Sequence, residues 1–422
     1  MSTVTPQFDV IVIGGGPAGS ATAGLLAMEG RKVLLLEREK YPRYHIGESL
    51  ISAVWPTLDR LGLRDGVAAL GSPRKYGGTV RWGKGGERWD FAFRDAGPYE
   101  YAYQVERARF DALMLTRARE LGAAVIEEAT ATEPVSARGR IGGVRYTLRS
   151  EDGVQEAHAR IVVDASGQRR WLGSRFELVK WHEDLRNLAI WSYFQDAKHY
   201  EGDAAGNTLI EYLHPGWLWL IPLGGDITSV GFVCPSAGIT SGRKSLEATF
   251  QENLGRSAEV SLMLAGATRV SGYRTQRDWS YRCTSYHGPG WVLVGDASAF
   301  VDPLLSTGVA LALRSARTVV PAILEALDDP AAEAAALQRY ETSNRRYLQV
   351  ILDFVRYFYQ QDKTEPEYYS GAQEIIDPGK QFAPRFDFVR LVAGLADDEL
   401  DLDLRSLITT APVSPSVTQA GR

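Results

Sequence analysis

The chain has 422 residues, of which 45% are apolar and 23% charged, and its formal net charge is −5. That length buries a large core in two or three structural units, and the balance is that of a soluble globular protein with no excess charge to draw it to nucleic acid or an anionic membrane. Cys234 and Cys283 are its only cysteines, which excludes a disulfide framework, and no apolar run is long enough to span a bilayer. The first strand begins close to Met1, leaving no room for a signal peptide, so the expected setting is reducing and cytoplasmic.

Val10 to Ile13 reads as a buried strand. It enters Gly14-Gly-Gly16-Pro-Ala18-Gly19, a helix from about Pro17 to Glu29, and a second apolar strand ending at Glu37. Gly14 permits a tight turn, Gly16 lets the backbone approach a pyrophosphate, and Gly19 lets helix and strand pack closely. Open amides at the helix start favour an anion, and Glu37 lies where an acid meets a ribose hydroxyl. The pattern predicts a dinucleotide site without deciding between FAD and NAD.

Tyr44 to Leu50 reads as a turn into a helix reaching Leu61, with Glu48 and Ser49 at its start. Gly71 to Trp89, glycine-rich with Lys75, Arg81 and Trp82, reads as a loop entering an antiparallel strand. Gln104 to Gly122 has helical spacing and carries Arg107 near its start. Ala124 to Glu127 and Gly143 to Arg149 read as strands, and Ile161 to Gly167 as a buried strand ending in Asp164 and a glycine turn. From Asn187 to Cys234 the chain becomes strand-rich, which marks a second sheet. Trp291 to Ala297 returns to a buried strand ending in Gly295-Asp296-Ala297, and Pro303 to Ala326 is mostly helix. Asp329 to about Gln361 is helical and aromatic, and Glu365 to Ile408 is mixed.

The expected fold is α/β: a Rossmann-like three-layer nucleotide domain with an inserted antiparallel β-sheet domain and a helical C-terminal region. The nucleotide domain is expected in the pieces 1–75, 103–175 and 285–326. The inserted substrate domain takes 76–102 and 176–284, the helical region 327–408, and a disordered tail 409–422.

Four elements in this order resemble the FAD-dependent monooxygenase-type flavoproteins. They are Gly14 to Gly19, Val105-Glu-Arg107-Ala-Arg-Phe110-Asp111, Val163-Asp164-Ala-Ser-Gly167 and Gly295-Asp296-Ala297. The resemblance makes the dinucleotide FAD. It implies Gly14, Gly16, Ala18, Gly19, Glu37, Glu48, Ser49, Arg107, Asp164, Gly295, Asp296, Pro303 and Gly308 as cofactor-binding residues.

Three further stretches resemble the flavin-dependent halogenases. Trp217-Leu-Trp219-Leu-Ile221-Pro222 is similar to their WxWxIP signature. Strand periodicity puts Trp217, Trp219 and Ile221 on one face, where two indoles can wall off a flavin from a substrate; without the resemblance the same strand reads as core. Phe300-Val-Asp302-Pro303-Leu-Leu-Ser306-Thr307-Gly308 resembles FxxPxxSxG. Its amides near Thr307 and Gly308 suit a halide ion, or equally the negative charge of reduced flavin. Lys75 precedes a glycine as the essential lysine of that family does. As an ammonium it polarises hypohalous acid; as an amine neutralised by burial it takes up the halogen. Lys84 and Arg81 compete for that role.

The resemblance implies halogenation of an electron-rich aromatic ring, a phenol, pyrrole or indole, in natural-product biosynthesis. The substrate is either free or tethered to an acyl- or peptidyl-carrier protein, and the halide is chloride or bromide. No second GxGxxG follows a strand, which fits reduced FAD supplied by a separate flavin reductase. No histidine spacing suggests a metal. The alternatives are an FAD monooxygenase, a geranylgeranyl-reductase-type oxidoreductase, and a non-catalytic FAD-binding partner protein.

Overall fold

The computed structural model describes residues 7–236 and 245–396. The first sheet grows from Phe8–Ile13, whose Val-Ile-Val-Ile run is buried on both faces, as a central parallel strand requires. It pairs in parallel with Val33–Leu36 on one side and with Gln155–Asp164 on the other. Ala124–Ile126 and Trp291–Leu293 extend the two sides in parallel, and His287–Gly288 closes one edge antiparallel. The register aligns Ile13 with both Leu36 and Asp164, and Asp164 with Leu293. The turns that follow these four strands therefore emerge along one edge. Helix Pro17–Met28 packs against helices Arg107–Glu120 and Gly308–Asp328. Ala129–Ala137 and Arg140–Leu148 form an antiparallel extension of Gln155–Asp164. The first of these was not expected as a strand, because Glu133-Pro134 interrupts its pattern.

The second sheet runs in the order Ala299–Phe300, Arg274–Cys283, Val179–Gln195, Ile227–Pro235, Gly216–Gly224, Thr208–Leu213, Gly77–Arg81, Arg88–Ala92. It is antiparallel except where Thr208–Leu213 runs parallel to Gly77–Arg81. Both stretches expected to form the inserted unit contribute to it. So does Ala299–Phe300, which lies in the stretch 285–326 placed with the nucleotide domain; it pairs with Tyr281 and Arg282 instead. Arg74–Lys75 pairs with Ala102–Tyr103 as a two-stranded link.

The helix expected from Ser49 to Leu61 starts later. Val105 N–H donates to Glu48 O and Leu50 N–H to Tyr103 O, holding 48–50 extended. A short turn at Ser52–Val54 precedes the helix Trp55–Arg60. The C-terminal region is helical at Glu333–Phe358, Glu365–Ile376 and Pro384–Val392, so the described part of the stretch read as mixed is two helices. The expected tail 409–422 lies outside the described residues.

Apolar side chains of the strand Gly216–Gly224 divide between two cores. Trp217, Trp219 and Ile221 join Trp82, Trp89, Phe354, Phe358 and Phe388 between the second sheet and the C-terminal helices. Leu218 and Leu220 face the opposite core, with Phe232 and Phe250. Among the described residues no helix is long and apolar enough to cross a membrane.

Candidate active site

A cavity of about 680 Å³ opens between the carboxyl edge of the first sheet and the indole face of the second. Its size lies within the ~300–1,000 Å³ of small-molecule sites, and its place is where open α/β sheets bind ligands.

On the nucleotide side the backbone does the shaping. Gly14 has φ +102°, and a Cβ there would stand 2.4 Å from Ala165 O. A Cβ on Gly19 would stand 1.9 Å from Gly14 O, so turn and helix meet without room for a side chain. Gly16 differs: a Cβ there meets only Arg43 Nη2, at 3.6 Å, and points into open space. Gly14, Gly16 and Ala18 line the cavity. Pro17 opens the helix with no side-chain cap, leaving first-turn amides for an anion. A dinucleotide pyrophosphate fits this cradle, which a side chain at position 16 would fill. Glu37 lines the rim, with Oε2 accepting from Gly15 N–H at 2.6 Å and Oε1 from Glu39 N–H at 2.8 Å. A carboxylate has further lone pairs, so it remains open to a hydroxyl donor.

Arg107 is buried and fully engaged. It holds Asp111 bidentately at 2.8 and 3.0 Å and donates from Nη1 to Ile46 O and Gly47 O. It thereby fixes the loop that presents Glu48 and Ser49 to the cavity. Asp296 also faces the cavity, surrounded by protein but open to that space. Burial raises its carboxyl to about 7, against the pull of Arg107. Burial likewise raises Glu48 to about 7, opposed by the Tyr193 hydroxyl, which donates to Oε1 at 2.6 Å, and by Ser229.

Asp164 is placed otherwise than expected. It is fully buried, does not line the cavity, and accepts from Ser166 N–H at 2.9 Å and Leu172 N–H at 2.6 Å. It shapes the turn, and Ala165, Ser166 and Gly167 face the cavity in its place. Gly19 and Gly295 also stand behind the lining, where their missing side chains allow close packing; a Cβ on Gly295 would stand 2.9 Å from that of Ala18.

On the opposite side Trp217, Trp219 and Ile221 line the cavity. Pro222 does not, because the two-residue period of its strand turns it to the other face. Trp217 and Trp219 have ring centroids 6.1 Å apart. Trp217 Nε1 donates to the Tyr359 hydroxyl at 2.8 Å, and Trp219 Nε1 to Ser229 Oγ at 3.2 Å.

Pro303 and Gly308 line the cavity from the loop that starts helix Gly308–Asp328. A Cβ on Gly308 would meet nothing within 4 Å, so the space beside this helix start is open. Thr307 stands just behind: it is buried, its side chain caps nothing, and Oγ1 lacks a hydrogen-bond partner. This helix start is suited to a small anion.

Lys75 is 3% exposed. Its Nζ donates to Ser49 Oγ at 2.8 Å and lies 5.6 Å from the centre of the Phe93 ring. Burial alone lowers its pKa from 10.5 to about 7. Lys75 does not itself line the cavity; Ser49 and Thr208, whose hydroxyls are 2.9 Å apart, stand between it and the open space. Gln104 Nε2 donates to Thr208 Oγ1 at 2.9 Å and completes the row. The competing cations sit elsewhere: Lys84 is on an exposed turn, and Arg81 stands 3.8 Å from Glu211.

Thr208, Gln104, Tyr193 and Asn187 were not singled out from the sequence, and Tyr359 only as the end of Phe354-Val-Arg-Tyr-Phe358-Tyr, a loose family match given no role. Each reaches the site through strand pairing or helix packing across a long stretch of chain. Among the described residues no three His, Cys, Asp or Glu side chains gather as metal ligands.

The family model described as tryptophan halogenase matches residues 9–99 and 94–393. The chain is similar to a tryptophan 2-halogenase of Chondromyces crocatus, 34% identical over 383 residues that cover 87% of this chain and 70% of that one. It is 30% identical over 380 residues to a 1H-pyrrole-2-carbonyl-(peptidyl-carrier protein) chlorinase of Pseudomonas fluorescens, covering 84% of each. Among solved structures, the myxobacterial chondrochloren halogenase superposes with a TM-score of 0.80 at 35% identity, covering 92% of this chain and 97% of that one. A flavin-dependent brominase superposes with a TM-score of 0.83 at 25% identity, covering 95% and 98%.

Proposed function

The chain belongs to the flavin-dependent halogenases, enzymes that use FAD and halide, and on that premise we propose that it halogenates an electron-rich aromatic ring, with Lys75 delivering the halogen past the wall of Trp217 and Trp219. Gly14, Gly16, Ala18 and the helix start behind them would hold the pyrophosphate, and Glu37 would take a ribose hydroxyl. Arg107 holds the loop of Glu48 and Ser49 at the cavity, where these residues, with Asp296, Pro303 and Gly308, would contact the cofactor. Bound and reduced, FAD supplies hypohalous acid from dioxygen and halide. A separate flavin reductase delivers the reduced flavin.

The amides at Gly308 hold the halide, with Thr307 behind them. Trp217, Trp219 and Ile221 close the direct line to the ring, so hypohalous acid crosses and oxygen is not passed on. The side chain of Lys75, whose pKa burial lowers to about 7, takes up the halogen as the amine or polarises hypohalous acid as the ammonium. The ring carbon then gains the halogen and loses its proton, and the oxygen of the hypohalous acid leaves in water.

The observation that carries this reading is Lys75: it is buried, with Nζ 2.8 Å from the Ser49 hydroxyl that lines the cavity. The named substrates of the relatives, tryptophan, a carrier-bound pyrrole and sulochrin, support a phenol, pyrrole or indole, free or on a carrier protein. The test supplies the protein with a flavin reductase, NADH, FAD, chloride or bromide, and a panel of these rings. A product with the halogen isotope doublet is expected. A product that gains oxygen instead would replace this reading with a monooxygenase.

A further inference from the structure

Resting on that reading, we propose that the residue following helix Glu333–Phe358 is a positioning device for the wall: Tyr359, anchored on Asp302, holds the Trp217 indole in place. Three parts of the molecule meet there. Trp217 Nε1 donates to the Tyr359 hydroxyl at 2.8 Å. That hydroxyl donates to the Asp302 carboxylate, at 3.1 Å from each oxygen. Asn187 Nδ2 donates to Asp302 Oδ2 at 2.7 Å and approaches the Tyr359 hydroxyl at 3.4 Å, and Leu304 N–H donates to Asp302 Oδ1 at 3.0 Å.

Asp302 is fully buried and begins the loop whose Pro303, Leu304 and Gly308 line the cavity. The network therefore joins the wall, the halide loop and the C-terminal helices through one hydroxyl. A buried carboxylate with this many donors is held rigidly, and removing the Tyr359 hydroxyl takes the acceptor from Trp217 Nε1 and leaves Asp302 one donor short. An indole pinned at its N–H keeps one rotamer, which keeps the passage past the wall narrow. Tyr359 and Asp302 touch no reacting atom in this scheme; they act through Trp217.

The test uses Tyr359→Phe, Trp217→Phe and the double variant in the full chain. In flavin-free protein, the urea midpoint of the double variant should fall by less than the sum of the two single losses. With reduced FAD, bromide and an accepted aromatic substrate, Tyr359→Phe should oxidise flavin within twofold of the wild-type rate. It should form at least fivefold less halogenated product per flavin, with the difference recovered as hypobromous acid by a soluble trap. In the Trp217→Phe background, adding Tyr359→Phe should leave that ratio unchanged. Trp82→Phe is the structural control: Trp82 donates to Phe358 O at 2.6 Å and packs edge-on to Tyr359 at 6.1 Å, a ring contact that Phe can keep, and it does not line the cavity. It should lower the midpoint and leave the ratio alone. If Tyr359→Phe does not fold, Asp302→Asn carries the same expectation. A product-to-flavin ratio within twofold of wild type in the folded variant, or additive effects in the double variant, would overturn the proposal. Wild-type protein yielding no halogenated product with any ring would count against the functional reading instead, and the flavin-free cycle would still decide whether Tyr359 and Trp217 are coupled.

Discussion

The two sides of the cavity are built from different material. On the nucleotide side the work is done by backbone: strand ends in register, a turn at positive φ, and a helix start that no side chain caps. On the wall side it is done by side chains: two indoles, a buried amine, and hydroxyls that connect them to Gln104 and Asp302. A backbone site changes only when the chain path changes or a side chain fills the space. A side-chain site changes with a single atom. Cofactor binding and halogen transfer should therefore separate under substitution, and each of the following changes tests that separation.

The largest effect belongs to Gly16→Val. A Cβ there is tolerated by the protein and, with the cofactor placed as proposed, would occupy the approach of the pyrophosphate. FAD affinity should fall at least ~100-fold, roughly 3 kcal/mol, with an unchanged thermal midpoint. Titration of the variant with FAD, followed by flavin fluorescence, measures the loss; tight binding would make the cradle a mere turn.

Lys75→Met acts on the other side, through stability. Burial lowers Lys75 from 10.5 to about 7, so below pH 7 the folded state carries a charge it disfavours. Above pH 10.5 neither state carries it. Between the two, the unfolded chain binds the extra proton, and stability contributed by this group rises with pH. Lys75→Met should stabilise most below pH 7, by on the order of 3–5 kcal/mol less the lost Ser49 bond, and the gain should shrink toward pH 10.5. Glu48 and Asp296, whose raised carboxyls act in the opposite direction, cancel when variant is subtracted from wild type. Urea unfolding at pH 6 and pH 9 reads the difference; an equal gain at both would mean that Lys75 is not neutralised.

The smallest change is Thr208→Val, which keeps the shape and removes the hydroxyl that meets Ser49 and Gln104. One hydrogen bond of about 1 kcal/mol predicts ~5-fold slower halogenated product, with flavin affinity unaffected. Steady-state rates beside an FAD titration check both halves.

What the sequence disclosed follows the same division. Gly14 is legible because only glycine satisfies the backbone demand at its positive φ, Gly16 because its spacing from Gly14 keeps a side chain out of an anion's approach, and the alternation of Trp217, Trp219 and Ile221 because a strand has period two. Lys75 is legible only through its neighbours, since nothing local distinguishes a buried lysine from a solvated one. The contact between Ser49 and Thr208 spans 159 residues, and that between Trp217 and Tyr359 spans 142; no local pattern encodes either. Glu48 and Ser49 were misread as a helix start because the strand that holds them extended, at 103–105, lies far along the chain. Asp164 was misread because spacing shows that an acid follows a strand but not which way it points.

If Lys75 acts as proposed, halogen transfer depends on it and halide oxidation on the opposite side of the wall. A single-turnover reaction of Lys75→Ala with pre-reduced FAD, bromide, dioxygen and an accepted aromatic substrate tests this division, with a soluble trap for hypobromous acid. Flavin oxidation and total hypobromous acid should stay within about twofold of wild type, with halogenated substrate reduced by on the order of 10² or more. Halogenated substrate formed at the wild-type rate, or loss of hypobromous acid together with the product, would contradict it.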